Sequence, residues 1–308
     1  MRYSLLLLGT SSFAVPILEK LNSEHTIKAV ITQPDKPAGR KQELSPSPIK
    51  TKALELGLKV LQPTKASEIP ELVKDHIDFL ITASYGQYLP KAVLEMPMKD
   101  SLNVHPSLLP LYRGATPMQS ALLNGDKKTG VSIIRMAKEM DAGPIYSQQQ
   151  FPLDPDMRYP ELEKKCSDIG ADLIVSVIKN YHSMSPQDQG GNVTHCTKIK
   201  KEDGEIDWKK ETAEKIYNKL RAFTPWPGVY TFFNKQKLSL LDFAPNSVET
   251  GHARSLPVPG TVFHRDVACY VSTIDGSIEL KMVQLAGKKP TDIKSFLNGY
   301  PDFIGTTL

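Results

Sequence analysis

The first half of this 308-residue chain alternates short apolar runs with helical patterns. Runs such as Leu5–Leu8 (LLLL) and Phe79–Ala83 (FLITA) are apolar or β-branched and do not alternate strictly with polar residues. Strands of this kind are covered on both faces, as in a parallel sheet. The repeated strand–helix order therefore predicts an α/β fold with a Rossmann-like, doubly wound and mostly parallel sheet.

The predicted elements follow one another regularly along the chain. Strands are expected at 3–8, 27–32, 59–61, 79–83, 101–105, 131–135 and 144–151, and helices at 13–21, 48–56, 69–75, 116–123 and 158–183. Ligands of such sheets collect beyond the carboxyl ends of the strands. Tyr85–Gly86 and His105 both fall at such ends and are candidate site residues.

The composition changes after residue 183. The stretch 183–205 is polar and rich in Gly, Ser and Lys, which predicts a linker. It is followed by a predicted helix at 213–223 and by strand-like runs at 229–233, 237–243, 260–264, 268–273 and 278–283. Turn residues separate these runs at short intervals, which indicates a small β-barrel or a sandwich. We expect domains at 1–187 and 206–308, joined by a linker at 188–205.

Charge and cysteine content exclude several classes of protein. The net charge of +4 and the pI near 8.7 are below the strongly basic balance of a dedicated nucleic-acid-binding protein. Residues 206–308 carry 13 Lys and Arg against 10 Asp and Glu, so most of the excess lies there. Cys166, Cys196 and Cys269 show neither CxxC nor metal-ligand spacing. A reduced, cytoplasmic setting without a metal is therefore expected.

Two patterns near the N-terminus imitate functional segments and can be set aside. The leucine run imitates a secretory signal, but its unbroken apolar stretch is Leu5–Leu8, shorter than the roughly 7–15 residues of such a segment. No stretch of the sequence approaches the ~20 apolar residues of a membrane span. The segment GTSSF after the first strand lacks the GxGxxG pattern, and a P-loop pattern is absent, which argues against a dinucleotide or Walker-type site.

The stretch Leu102–Gly114 (LNVHPSLLPLYRG) places two polar residues on one predicted strand. Because successive side chains of a strand alternate faces, Asn103 and His105 share one face. Pro106 lacks a backbone donor and ends the strand. The following loop at 107–110 is stiffened by a second proline, and its backbone groups are expected to face a cleft.

A third candidate, Asp141, lies on a predicted turn in KEMDAGPIY, before Gly143 and Pro144. Taken singly, these residues fit structural roles, since a strand histidine is usually a satisfied core residue and an aspartate before Ala-Gly is usually a turn former. A Ser-His-Asp hydrolase is a rival interpretation of His105 and Asp141. The sequence contains no G-x-S-x-G elbow to support it.

Several stretches together resemble the folate-dependent formyltransferases. These are SLNVHPSLLPLYRGATPMQSAL (101–122), ASYGQYLPKAVLEMP (83–97) and MDAGPIY (140–146), joined by TQPDKPAGRKQELSPSPIK (32–50), RAFTPWPG (221–228) and LAGKKP (285–290). The similarity runs through nearly the whole chain in the order of the family. It implies an α/β catalytic domain followed by an OB-like β-barrel domain that binds tRNA.

The resemblance also implies an activity and a site. The expected reaction moves the formyl group of 10-formyltetrahydrofolate, as co-substrate, to the amino group of methionyl-initiator tRNA. Asn103, His105 and Asp141 would form the catalytic trio. The residues expected to contact the reduced folate are Ser107, Leu108, Leu109, Pro110, Tyr85 and Gly86.

The resemblance further implies residues that contact tRNA. In the loop 32–50, Arg40 occupies the family's key arginine position with Lys41 beside it, whereas Gln42 and Glu43 depart from the lysines that often follow. A guanidinium suits phosphate because it donates two parallel hydrogen bonds. In the second domain the contacts are expected from charge and not from the resemblance. They are Lys209, Lys288 and Lys289, with Lys210, Lys215, Lys219 and Arg221 as further candidates.

Trp226, between Pro225 and Pro227, is expected to anchor the helix to the barrel rather than to stack on a base. The protein is expected to be a monomer. Two other functions stay open at this point. Transfer to a small amine, such as glycinamide ribonucleotide or an amino-sugar nucleotide, would use the same trio. A non-catalytic RNA-binding module on a degenerate scaffold is disfavoured because all three members of the trio are present.

Overall fold

The computed structural model describes residues 2–38, 43–247, 257–265 and 268–308. The chain divides into two compact units. The first comprises Met1–Pro117, Lys128–Leu153 and Glu161–Thr197, and the second comprises Met118–Lys127, Asp154–Pro160 and Lys198–Leu308. Over the described residues, none of the helices combines the length and the apolar character needed to cross a membrane.

The strands of the N-terminal part are β1 (Ser4–Gly9), β2 (Thr26–Ile31), β3 (Lys36–Ala38), β4 (Glu43–Ser45), β5 (Val60–Leu61), β6 (Phe79–Ala83), β7 (Asp100–His105), β8 (Arg113–Gly114), β9 (Lys128–Arg135), β10 (Ile145–Pro152) and β11 (His195–Cys196). The C-terminal part adds β12 (Val229–Phe233), β13 (Gln236–Ser247), β14 (Val262–Arg265), β15 (Ala268–Ser272), β16 (Gly276–Leu285) and β17 (Thr291–Asp292). The helices are α1 (Ala14–Glu24), α2 (Pro48–Glu55), α3 (Ile69–Leu72), α4 (Lys91–Leu94), α5 (Pro117–Leu123), α6 (Tyr159–Asn180), α7 (Ala213–Phe223) and α8 (Ile293–Gly299).

The main sheet of the first unit has seven strands among the described residues, in the order β10-β9-β7-β6-β1-β2-β5. The strands from β7 to β5 pair in parallel, and β9 runs antiparallel to both of its neighbours. The reversal of strand order on either side of β1 is typical of doubly wound sheets. The carboxyl ends of β1, β2, β6 and β7 therefore meet along one edge.

Helices cover both faces of this sheet. On one face Leu6 and Leu8 of β1 form a buried apolar cluster with Leu80 of β6, Ile69 of α3 and Val93 of α4. Such burial contributes about 25 cal/mol per Å² of apolar surface, which explains why these strands read as continuous apolar runs.

On the opposite face, α6 approaches β7 closely at Gly170. A Cβ atom at Gly170 would lie 2.7 Å from Cγ1 of Val104, 3.6 Å from Val131 and 3.8 Å from Ile17 of α1. Glycine is therefore required here, because real Cβ atoms do not approach a neighbour this closely. This contact between Gly170 and Val104 packs α6 against the face of β7 opposite to the side chains of Asn103 and His105.

The second unit is built on a separate antiparallel sheet in the order β12-β13-β16-β15-β14, with β17 paired to β16. Its apolar side packs against α7 and α8 through residues such as Ile216, Phe243, Phe296 and Phe303. Helix α7 begins after Thr212, whose hydroxyl accepts a hydrogen bond from the Lys215 amide. This is the N-cap arrangement that threonine favours.

The predicted fold class is confirmed: a mostly parallel α/β sheet is followed by a separate antiparallel sheet. Strands β6 and β12 and helix α7 have the predicted bounds. Helix α8 and the antiparallel pairing of β3 with β4 were not predicted. The expectation for Trp226 was wrong, because its side chain is 57% exposed instead of packed.

Candidate active site

Strand β7 brings Asn103 and His105 to the carboxyl edge of the sheet. The two side chains share a face, whereas the buried side chains of Leu102 and Val104 take the other. Asn103 is half-buried, and His105 is only 3% exposed at the last position of the strand. The strand period predicted this placement correctly.

The carboxylate of Asp141 meets both residues. Its Oδ1 accepts a hydrogen bond from Nδ2 of Asn103 at 3.2 Å, and its Oδ2 lies 3.6 Å from Nδ1 of His105. Oδ2 also accepts a hydrogen bond from the Gly114 amide at 2.9 Å. The structure thus brings together the three residues that the sequence singled out for chemistry.

The backbone around this carboxylate adopts unusual conformations. Asp141 has a φ of 54°, in the left-handed region that costs a non-glycine residue about 1–2 kcal/mol. Gly114 has a φ of 124°, and a Cβ atom there would lie 2.2 Å from the carbonyl oxygen of Cys196. The left-handed conformation of Asp141, which is not a glycine, persists only where surrounding contacts impose it.

The protonation of His105 follows from its partners. Its Nε2 lies 3.0 Å from the carbonyl oxygen of Tyr112. Because a carbonyl oxygen only accepts, Nε2 carries a proton in this contact, and Nδ1 is the atom that faces Asp141. Burial lowers the pKa of His105, while the Asp141 carboxylate and the Tyr112 carbonyl act in the opposite direction. A neutral ring would therefore present an unprotonated Nδ1 to the site.

Thr82 is a residue that sequence reasoning missed. It lies on β6 directly beside Asn103 in the sheet register, and its hydroxyl is 2.9 Å from Oδ1 of Asn103. A hydroxyl that donates to Oδ1 leaves Nδ2 to face Asp141, so Thr82 fixes the orientation of the Asn103 amide. The available signal was a polar residue near the carboxyl end of the apolar run FLITA.

The loop at 107–110 is held mainly by protein contacts. The hydroxyl of Ser132 donates to the Ser107 carbonyl at 2.6 Å and accepts from the Leu109 amide at 3.2 Å. The side-chain amide of Gln148 donates to the Leu109 carbonyl at 2.8 Å. For these three backbone groups, the expectation that they face a cleft was wrong. The side chain of Ser107 is itself buried and donates to the Leu111 carbonyl at 2.6 Å.

Tyr85 and Gly86 lie where the carboxyl ends of three strands meet. The Tyr85 carbonyl accepts hydrogen bonds from the Thr10 hydroxyl at 3.0 Å, after β1, and from Gln33 at 2.8 Å, after β2. The Tyr85 ring is buried in the apolar cluster that contains Leu89, and burial raises its pKa to about 12. Gly86 is exposed, so of this pair it is the one open to a ligand.

The predicted tRNA contacts have different outcomes. Arg40 and Lys41 lie outside the described residues. Lys209, Lys288 and Lys289 are exposed, as a phosphate contact requires. Including Arg221 among the candidates was wrong, because it is 4% exposed and its guanidinium donates to the carbonyls of Met157 and Asp154 and to the Asn218 side chain.

Over the described residues, no group of three or more His, Cys, Asp or Glu side chains is placed to hold a metal ion. The sulfur of Cys196 lies 3.3 Å from the Thr116 amide.

Comparison with known proteins defines the class. Residues 1–178 match the family model described as formyl transferase, and residues 198–301 match the formyl transferase C-terminal domain. The chain belongs to the formyl transferase family.

Within this family, the chain is similar over nearly its whole length to methionyl-tRNA formyltransferases. The methionyl-tRNA formyltransferase of Staphylococcus aureus strain MW2 is 36% identical over 304 residues, covering 96% of each chain. That of Listeria monocytogenes serotype 4a strain HCC23 is 37% identical over 304 residues, covering 96% of this chain and 95% of the relative. Among solved structures, HypX from Aquifex aeolicus in complex with tetrahydrofolic acid aligns with a TM-score of 0.65 at 18% identity, over 98% of this chain and 48% of HypX. The chain spans about half the length of HypX, and at this identity the likeness shows the fold alone.

Two buried histidines predict how stability depends on pH. Burial lowers the pKa of both His105 and His25 below the usual value of 6.5. Below about pH 6.5 the unfolded chain therefore binds more protons than the folded one, so the free energy of unfolding should fall on acidification, by at most about 1.4 kcal/mol per pH unit for each group. Urea unfolding at about pH 7.5, 6.5 and 5.5 measures this slope.

The variant His25→Gln should have a flatter pH dependence than the wild type. The exposed His264 supplies the matched control, and His264→Gln should keep the wild-type slope. An unchanged slope in His25→Gln would contradict the assignment of that slope to buried histidines.

Proposed function

We propose that this chain transfers the formyl group of 10-formyltetrahydrofolate to the free amino group of methionyl-initiator tRNA, giving N-formylmethionyl-tRNA for translation initiation. The methionyl-tRNA formyltransferases that match it over nearly their full length support the acceptor. The tetrahydrofolic acid bound to HypX supports a reduced folate as the donor. The structural observation that carries the proposal is the convergence of Asn103, His105 and Asp141.

In the first step the neutral amine attacks the formyl carbon. A carbon–nitrogen bond forms, and the carbonyl electron pair moves to oxygen in a tetrahedral intermediate. One amide hydrogen of Asn103 is directed at Asp141, and the second can point at the developing oxyanion. A donor aimed at such an oxygen in advance is typically worth about 10²–10³ in rate.

In the second step the ammonium loses a proton and the folate nitrogen gains one. The Asp141 carboxylate and Nδ1 of His105 form the acceptor for that proton. The electron pair on the oxyanion then re-forms the carbonyl as the bond between the carbon and the folate nitrogen breaks. The pair of that broken bond goes to the folate nitrogen, and the proton is returned there. The hydrogen bond from Nε2 of His105 to the Tyr112 carbonyl orients the ring so that Nδ1 can accept and return the proton. No covalent enzyme intermediate is needed.

The partners follow from the reaction. Initiator tRNA is used in the cytoplasm, so we place the activity there. All residues proposed to react come from one chain, and we expect it to act as a monomer. The exposed Lys209, Lys288 and Lys289 would follow the tRNA backbone, each phosphate contact steepening the salt dependence of binding by about one unit of slope.

An acceptor assay tests the function. The protein is incubated with 10-formyltetrahydrofolate and one acceptor at a time: methionyl-initiator tRNA, the same tRNA uncharged, glycinamide ribonucleotide or an amino-sugar nucleotide. Blocking of the amine is followed. We expect formylation of the charged tRNA alone. Faster turnover of a small amine would show that the chain is a formyltransferase of small amines. No turnover of any acceptor would favour a non-catalytic RNA-binding protein.

Arg40 is proposed to recognise tRNA rather than folate. Arg40→Ala should raise KM for charged tRNA by about tenfold, because one bidentate phosphate contact is lost, and should leave KM for the folate unchanged. The matched control is Lys179→Ala, at an exposed lysine of α6, which should have wild-type kinetics. Steady-state kinetics with each substrate varied in turn make the measurement. Equal damage to both KM values would contradict a role confined to tRNA.

A further inference from the structure

One side chain in the stretch predicted as a linker, Gln189, contacts two loops of the first unit. Its Nε2 donates to the carbonyl oxygens of Asp141 at 2.7 Å and Gly143 at 2.8 Å. Its Oε1 accepts from Nε of Arg113 at 3.0 Å and from Nη2 at 2.8 Å. Both amide hydrogens and both lone pairs of the oxygen are therefore used.

The orientation of this amide is unambiguous. Carbonyl oxygens only accept and a guanidinium only donates, so a flipped amide would lose every one of these contacts. Arg113 is buried. Because its guanidinium is charged, the hydrogen bonds that it donates to Oε1 of Gln189 are charge-assisted and stronger than hydrogen bonds between neutral groups.

The two loops that Gln189 joins are those that hold the proposed reacting groups. One loop carries Asp141 in its left-handed conformation. The other carries the Tyr112 carbonyl, which receives Nε2 of His105, and the Gly114 amide, which donates to Oδ2 of Asp141. The hydrogen bonds of the Gln189 side chain go to Arg113 and to the backbone carbonyls of Asp141 and Gly143, and not to the carboxylate or the imidazole.

We propose that Gln189 is a positioning residue for formyl transfer. By fixing the backbone of Asp141 and, through Arg113, the loop that holds His105, it sets the separation between Oδ2 and Nδ1. This role rests on the proposed function, since it acts through the pair that the function assigns to proton transfer. Groups that support reacting side chains must hold them to a fraction of an ångström, because a displacement of about 1 Å can cost 10²-fold in rate.

The test replaces Gln189 with methionine, which has similar length and volume but makes no hydrogen bonds. Gln189→Met should lower kcat by about 10- to 100-fold and leave KM for folate and for charged tRNA within about threefold. The matched control is Gln187→Met in the same segment, where the side-chain amide donates to the nearby Ser185 carbonyl at 3.1 Å. That control should keep the wild-type kcat.

A double-variant cycle separates positioning from general support of the fold. If Gln189 acts through Asp141, then Gln189→Met should change kcat less than about threefold in the Asp141→Asn background. An equal loss in both backgrounds, or a near-normal kcat for Gln189→Met alone, would overturn the assignment of Gln189. Retention of full activity by Asp141→Asn alone is a different result, which would overturn the proposed proton path and this role with it.

Discussion

Asp141→Asn is expected to lower kcat/KM for formyl transfer by at least about 100-fold while the protein stays folded. Asparagine tolerates the left-handed backbone of this position, so the substitution tests the carboxylate and not the turn. A single amide oxygen then replaces two carboxylate oxygens that accept from Asn103 and Gly114. The negative charge beside His105 is lost, and with it the acceptor for the amine proton.

The measurement is initial-rate kinetics with charged initiator tRNA, combined with thermal unfolding to confirm the fold. Asp188→Asn is the matched control, since Asp188 is an exposed aspartate of the same unit. It should have wild-type kinetics. Activity of Asp141→Asn within about threefold of wild type would remove the carboxylate from the mechanism.

His105→Gln is expected to have a comparable effect, with kcat/KM reduced by at least about 100-fold. A glutamine can place its amide nitrogen where Nε2 lies and donate to the Tyr112 carbonyl, so the loop should keep its conformation. It provides no basic atom in place of Nδ1. The variant therefore isolates the proton-accepting role from the structural one.

The pH profile gives a second readout for His105. If unprotonated Nδ1 is required, the wild-type rate should fall as the pH decreases through the apparent pKa of the His105–Asp141 pair. Because burial lowers the pKa of His105, that fall should lie below about pH 6.5. The residual rate of His105→Gln should lack it, whereas His264→Gln should match the wild type. A flat wild-type profile under chemistry-limited conditions would contradict the role.

Local periodicity accounts for the part of the site that the sequence predicted from first principles. Asn103 and His105 share a face because side chains on a strand alternate, and Pro106 ends the strand for its own stereochemical reason. Asp141 lies 38 positions beyond Asn103 along the chain. The sequence placed Asp141 on a turn, but periodicity does not show that this turn is left-handed or that it lies beside β7, so only the resemblance joined Asp141 to the other two residues.

Contacts between distant segments account for what the sequence did not predict. The backbone amide and carbonyl of Leu109 are hydrogen-bonded by Ser132 of β9 and Gln148 of β10. Because these strands come later in the chain, the local sequence could not show that the two groups have partners. Gln189 lies in a polar stretch whose composition indicates a linker, and composition does not distinguish a solvated amide from one bonded on all sides. Trp226 shows the converse, since an aromatic residue between prolines was expected to pack and is exposed.

The close approach of α6 to β7 at Gly170 means that a helix without reacting groups also affects the position of Asn103 and His105. Val104 separates Asn103 from His105 and is pressed by α6 from behind, with Val131 and Ile17 flanking the contact. An added methyl group would come within 2.7 Å of Cγ1 of Val104, so either the helix or this side chain would have to shift. A larger residue at position 170 would therefore disturb Val104, which lies between Asn103 and His105 in the sequence of β7. We expect glycine at this position of α6 to be needed for activity.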